Sequence, residues 1–202
     1  MSINKASGSL ARYLVAELKT TGVQEEVLAY GLELLFLGAI GLIAVALGGF
    51  LVGAPSETLF ALLCATLLRL PGGGMHLSSP GKCLSFTALI FSIMGFLARR
   101  LGGYLFVQQH ITWVVLGSGL LSLAISAWLA PVTSPAKPIN SPVLRRKLHR
   151  VAVGIAVVVP VILFFMRGRW PSLALAGAAG LAWQGAIIYL ASVSQNKEVK
   201  PG

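Results

Sequence analysis

Aspartate does not occur in this chain, and glutamate occurs only six times in 202 residues. The missing aspartate excludes any Asp-based triad, carboxylate dyad or proton relay. The glutamates fall mostly near the ends of apolar segments. Charge of either sign is scarce. Lys, Arg, Asp and Glu make up 11% of the chain, where a soluble globular domain carries roughly 25%. Two cysteines are too few for a disulfide scaffold. Glycine has no fixed period, which excludes collagen, and the apolar content is too high for disorder. What is abundant is hydrophobic: 56% of the residues, with a mean hydropathy of +0.83. The class that remains is a polytopic, all-α membrane bundle forming a single domain over 1–202.

Residues 1–30 are mixed in character. Leu10, Tyr13, Leu14 and Leu18 recur at helical spacing, with Arg12, Glu17 and Lys19 elsewhere on the wheel. This predicts an amphipathic helix at the interface or packed on the bundle. No signal-peptide pattern is expected there, so the mature chain is read as the whole chain. Six apolar segments follow, within a transmembrane region 31–193: Gly31–Gly53, Thr58–Leu70, Leu84–Ala98, Tyr104–Ala130, Val151–Met166 and Trp170–Val193. The second, third and fifth hold 13, 15 and 16 residues. At 1.5 Å per residue these reach only about 20–24 Å of a ~30 Å hydrocarbon core. They are either extended by flanking residues or partly re-entrant, so the prediction is about six spans. Residues 194–202 are a short tail.

The net charge of +10 would suggest nucleic acid in a soluble protein. In a membrane bundle it reads instead as positive-inside bias, with no nucleic-acid partner. With both termini cytoplasmic, the inner regions hold twelve Lys and Arg and the outer loops four: Arg99, Arg100, Arg167 and Arg169. The polar segment 69–83 and the basic loop 131–150 then share the cytoplasmic side. Packing between spans is expected at small residues. Ala174, Ala178, Ala182 and Ala186 make a stripe at spacing four, and Gly49 and Gly53 a GxxxG. Either is an intramolecular face or a dimer face. Pro160 is expected to kink the fifth segment.

Chemistry concentrates in Arg69-Leu-Pro-Gly-Gly-Gly-Met-His76-Leu-Ser-Ser-Pro-Gly-Lys-Cys83. Three glycines after Pro71 predict that the second segment ends at about Leu70. Irregular backbone at the edge of a bilayer persists only where it lines a cavity or is buried in protein. Ser79 is a candidate cap and Pro80 a natural first residue for the next helix. Cys83 then lies near its first turn, where the helix dipole and Lys82 both favour an ionised thiol. On one continuous helix His76 and Cys83 would stand about 10 Å apart along the axis. A turn through Ser78-Ser79-Pro80-Gly81 lets the imidazole fold back toward the sulfur. One His and one Cys are too few for a structural zinc site, and no metal or other cofactor is expected.

The run Arg69…Gly73-Gly74-Met75-His76…Cys83 between two apolar segments resembles the accessory gene regulator B (AgrB) family. These are membrane cysteine endopeptidases of Gram-positive quorum sensing. Pro131-Val132-Thr133-Ser134-Pro135-Ala136-Lys137-Pro138-Ile139, followed by Arg145-Arg146-Lys147, is similar to that family's proline-rich loop and basic cluster. The resemblance implies that Cys83 is the nucleophile and His76 its general base. Arg69 and Gly74 match family positions that support the site, and Gly73, Ser78 and Ser79 are expected to support it with them. It further implies cleavage of a short AgrD-like propeptide through a thioester, then closure of a thiolactone or lactone ring. The partners implied are that propeptide, membrane lipids and a second copy of the chain in a homodimer. Leu77 stands where the family often has Ala, and no carboxylate follows His76. Ser78, Ser79, Asn140 or a backbone carbonyl must therefore orient the imidazole. Lys82, Lys137, Arg145, Arg146, Lys147 and Arg150 are the expected contacts for an acidic substrate tail, and they also face lipid head groups. The competing class is a peptide transporter or exporter without proteolytic activity. It would need repeated halves with paired broken helices, and the chain shows one glycine-broken segment.

Cys64 is expected to be a small buried hydrophobe. His110 with Gln108 and Gln109 is expected at the outer interface, and His149 in solvent. Trp113, Trp128, Trp170 and Trp183 are expected to include interfacial anchors.

Overall fold

The computed structural model describes residues 3–18, 22–75, 79–132 and 141–198, and all of its regular structure is helical. His76, Leu77, Ser78, Lys137 and Asn140 lie outside the described residues. Among the described residues there are seven helices: α1 (Ile3–Leu18), α2 (Gly22–Leu51), α3 (Pro55–Gly72), α4 (Pro80–Leu101), α5 (Leu105–Leu129), α6 (Pro142–Met166) and α7 (Pro171–Glu198). Five contain stretches long and apolar enough to cross a bilayer, in α2, α4, α5, α6 and α7. The remaining long helix, α3, has 18 residues, about 27 Å of rise. The fold is an all-α helical membrane bundle, as the composition requires.

Proline sets where four of these helices begin. Pro55, Pro80, Pro142 and Pro171 are each the first helical residue. There the missing N–H is no loss and the fixed φ is already helical. This corrects the lengths of the short segments. The run from Leu84 belongs to a 22-residue helix and the run from Val151 to a 25-residue one. Each helix extends through polar residues that hydropathy does not count, so re-entrance is not needed for either. Two further boundaries move. The helix of the first apolar segment begins at Gly22, so residues 22–30 are continuous with that segment. α3 continues through Pro71 to Gly72 instead of stopping at Leu70. The basic cluster 145–150 is the start of α6, not a loop.

The helices α3 and α7 form the central pair, contributing to both apolar clusters of the core. One cluster joins them to α5 and α6, and the other to α2 and α4. Their approach depends on Gly180, where a Cβ would collide with the Ala61 carbonyl. Close approach of this kind drives helix association where lipid gives no hydrophobic contrast. The face that α7 buries is Ala174, Gly177, Ala178, Leu181 and Ile188, while Ala186 is exposed. The alanine stripe therefore does not run as one face: spacing four advances about 40° per step on a helix. Likewise Gly53 stands in the turn after α2 with φ +70, and Gly49 packs on Pro55 and Thr58. Gly49 is thus used for packing within the chain, and Gly53 lies beyond the helix, so the two do not share a helical face. Pro160 lies within α6, its ring against Gly119 of α5.

At the end of the bundle away from the glycine loop, Glu57 is buried at the start of α3. It accepts from Ser172 Oγ at 3.0 Å and from Arg99 Nη1 at 3.4 Å. Three helix ends are thereby tied together. α1 packs on α2 with Ala11 buried, while Tyr13 is exposed. The outer surfaces of the long helices are apolar, with Leu51, Trp113 and Trp128 well exposed, as lipid-facing surfaces should be.

Candidate functional site

The glycine run is a strap held by three hydrogen bonds. Backbone outside a helix must find partners when water is scarce, and here each partner is supplied by a different element. Val132 N, just past α5, donates to Gly72 O at 3.0 Å. Gln184 Nε2 of α7 donates to Gly73 O at 2.8 Å. Arg69 Nη2, in the last turn of α3, donates to Met75 O at 2.9 Å. Gly73 has φ +78 and pairs as an isolated parallel bridge with Val132. A Cβ there would meet the Val132 carbonyl. Both the backbone angle and the contact require glycine at this position.

Pro71 is accommodated because the helix is ending. It removes one donor, and the Gly73 N–H then closes the last turn onto Arg69 O at 2.9 Å. Arg69 and the strap are thus fixed together by local chemistry. The same side chain whose charge faces the strap belongs to the turn that the strap terminates.

Across from the strap, Ser79 stands at the N-cap of α4 in an extended conformation, and its side chain makes no capping bond. The expected cap is correct in position but not in chemistry. Pro80 opens the helix, and Cys83 N donates to Ser79 O at 3.1 Å. That places Cys83 in the N-terminal turn, where partial positive charge accumulates. Its side chain is half-buried and unpaired with another cysteine. It opens onto a cavity of about 580 Å³ between α2, α3, α4 and α7. Arg69, Thr66, Thr87 and Gln184 give the cavity a polar side, and Leu37, Val45, Leu62, Phe91 and Trp183 give it apolar walls. Cys83 and Arg69, predicted together, do share one cavity. Gly73 and Gly74 border it through Gln184 and Arg69, with a Gly74 Cβ position 3.5 Å from each of those side chains. Lys82 is exposed and does not line this cavity.

A second, open cavity of about 540 Å³ lies at the same end, lined by Ala130, Pro131, Arg145, Arg146, His149 and Arg150. Three of the predicted cationic residues converge on it. Lys147, also exposed, does not. His149 is not simply solvated: it is half-buried, and its Nδ1–H donates to Ala130 O at 2.8 Å. The carbonyl can only accept, which fixes that tautomer. The base of α6 is thereby tied to the segment whose Val132 holds Gly72.

Cys64 lies buried in the core, beside Gly177. His110 is exposed and bonded to Phe106 O on its own helix, and Gln108 donates to Gly102 O. Among the described residues no three His, Cys, Asp or Glu side chains converge as metal ligands do. Sequence reasoning passed over Gln184 and grouped Trp183 with the interfacial anchors. Gln184 is the sole amide within the apolar stretch 171–194, and a polar side chain inside a span is itself a signal. Trp183 is half-buried with its ring 6.0 Å from Phe86 and lines the thiol's cavity. Nothing in its spacing separates it from the lipid-facing tryptophans.

The accessory gene regulator B family model matches residues 7–188. An AgrB-like protein of Clostridium perfringens strain SM101 is 25% identical over 195 residues, covering 90% of this chain and 89% of the relative. A second AgrB-like protein, from strain 13 of that species, is 26% identical over 196 residues with the same coverage. No solved structure matches the chain.

Proposed function

The chain belongs to the accessory gene regulator B family, and from that premise we propose that it is a membrane cysteine endopeptidase that processes a short AgrD-like quorum-sensing propeptide. The observation that carries this reading is the placement of Cys83. Its thiol lies in the first turn of α4, on a cavity shared with Arg69, whose guanidinium holds the strap leading to His76. The other cysteine is packed in the core.

In this reading His76 takes the thiol proton and the Cys83 sulfur attacks a peptide carbonyl near the substrate's C-terminus. The C–N bond breaks, the proton passes to the leaving amine, and the N-terminal part of the peptide remains as a thioester. An internal thiol or hydroxyl of that peptide then attacks the thioester. A ring closes, and the Cys83 thiol is released. Exchange of one thioester for another is nearly energy-neutral, so ring closure needs no ATP. Arg69 and Gln184 keep the strap in register, and Ser78, Ser79, Asn140 or a backbone carbonyl orients the imidazole. The leaving segment carries the acidic tail, which Arg145, Arg146 and Arg150 hold in the second cavity. In this reading both termini and this end of the bundle face the cytoplasm, which the excess of Lys and Arg there supports.

The test uses the purified full-length protein in liposomes and a synthetic propeptide with an amphipathic helix, one internal Cys and an acidic tail. Cys83→Ala and His76→Ala should abolish cleavage while leaving insertion intact. A peptide whose internal Cys is replaced by Ala should accumulate as a hydroxylamine-sensitive adduct on Cys83. Cleavage that survives in Cys83→Ala removes the assignment.

A further inference from the structure

The cavity beside Cys83 is built to take more than a backbone. On α4, Cys83, Thr87 and Phe91 are spaced four apart, so their side chains follow one another along one face. All three line the same 580 Å³ space. Phe91, buried, closes the stripe at its far end. Thr87, half-buried, forms the wall one turn from the sulfur. Trp183 of α7 and Leu37 of α2 supply facing apolar surface. Of the polar residues, Arg69 and Gln184 are bonded to the carbonyls of the strap, and Thr66 and Thr87 each bring one small hydroxyl to a lining that is mainly apolar. What extends along α4 from the thiol is therefore an apolar pocket of the size that takes a whole side chain.

A residue joined to sulfur as a thioester has its Cα only two bonds from Sγ, so its side chain must occupy space directly beside the sulfur. We propose that the cavity is the acyl side-chain pocket of the enzyme. It selects a large aliphatic or aromatic residue at the position whose carbonyl passes to Cys83, with Thr87 as the residue that sets the permitted size. This rests on Cys83 being the acyl acceptor, and it names the specificity of that site.

Two arms separate this proposal from the catalytic reading. The first needs no proteolysis. The full-length protein in liposomes is treated with alkyl methanethiosulfonates from methyl to hexyl, with Cys83→Ala as the blank. Each reaction forms a mixed disulfide on Cys83 and releases a sulfinate. Wild-type labelling should accelerate about tenfold from methyl to hexyl, and in Thr87→Phe the hexyl-to-methyl rate ratio should fall to about one. Thr87→Leu, a smaller change, should give an intermediate result, and Gly154→Leu, at an exposed site on α6, should match wild type. A flat series in wild type overturns the proposal, whether the cavity is closed or held by a lipid chain. A preserved series in Thr87→Phe removes Thr87 from the role.

The second arm compares synthetic propeptides carrying Phe, Leu, Ala or Glu at the transferred position. Wild type should favour Phe and Leu over Ala by about tenfold or more in kcat/KM, and Thr87→Phe should shift that preference toward Ala. Equal losses on every peptide overturn the assignment. If the labelling series holds but no peptide is cleaved by any variant, the catalytic reading fails. The pocket then binds an apolar ligand that is not an acyl group, which overturns the proposal as well.

Discussion

Gln184 and Gly73, 111 residues apart, are joined by a hydrogen bond of 2.8 Å from the side-chain amide to the backbone carbonyl. Gln184 is 1% exposed and Gly73 is half-buried, so the carbonyl loses its protein partner at a site with little access to water if the amide is removed. Replacing one partner of a buried pair costs about 1–3 kcal/mol, more than the pair contributes net. Gln184→Leu should therefore lower the apparent unfolding temperature by about 2–10 °C and slow processing, because the strap that precedes His76 loses a clamp. Gln184→Asn, one methylene shorter, should fall between. Thermal unfolding and cleavage rates on the same preparations check this order. Equal behaviour of Gln184→Leu and wild type would mean that the strap is held without α7.

Gly53 and Gly73 have nearly the same backbone angle, φ +70 and φ +78. A Cβ at Gly53 meets nothing within 4 Å, whereas one at Gly73 meets the Val132 carbonyl. Gly53→Ala should thus cost only the left-handed conformation, about 1–2 kcal/mol. Gly73→Ala adds displacement of Val132 and should cost clearly more, with loss of processing. Unfolding temperatures of the two variants measure the difference, which isolates the contact from the angle.

At the opposite end of the bundle, Glu57 Oε1 accepts from Ser172 Oγ at 3.0 Å and Oε2 from Arg99 at 3.4 Å. The Arg99 side chain is 55% exposed, so solvent screens that pair and its charge contributes a few tenths of a kcal/mol at most. Acceptor geometry, not charge, should dominate. Glu57→Gln, which keeps an acceptor oxygen for Ser172, is expected to change stability by less than about 1 kcal/mol. Glu57→Ala leaves a gap and strands the hydroxyl, costing about twice that or more. Thermal unfolding at low and high salt checks both. A salt-dependent loss in Glu57→Gln would show that the ion pair matters after all.

The sequence reading succeeded where a property is carried by one residue or one run. Hydropathy located the apolar helices, Pro80 located the start of α4, and that start located Cys83. It failed where a partner lies far along the chain. His149 sits in a run of cations and looks solvated, because its acceptor, Ala130 O, is 19 residues away. Gln184 stands out as a polar residue in an apolar stretch, yet nothing nearby points to Gly73. Segment lengths came out short because hydropathy ends at the first polar residue. The backbone hydrogen bonds of α4 and α6 continue through Lys82 and Arg150. The three glycines after Pro71 point to an end at about Leu70, yet α3 runs to Gly72, because a proline in the last turn removes just one bond.

The cationic face of α6 divides in a way that a count of charges does not show. Arg145, Arg146 and Arg150 line the second cavity, and Lys147 does not. If the cavity holds the acidic tail of the substrate, an exposed cation is worth at most about fivefold in binding, and three together about a hundredfold at low salt. Replacing the three arginines by Gln should raise KM for a propeptide with an acidic tail by about ten- to a hundredfold. It should leave kcat nearly unchanged, because none of the three lines the cavity of Cys83. Lys147→Gln should shift KM less than about twofold, and the arginine effect should shrink as salt rises. Cleavage kinetics at two ionic strengths, with tailed and tail-less peptides, check this. If Lys147→Gln were as damaging as any one arginine change, the charges would act only as a diffuse field at the membrane surface. In that case the cavity would not be the binding site for the tail.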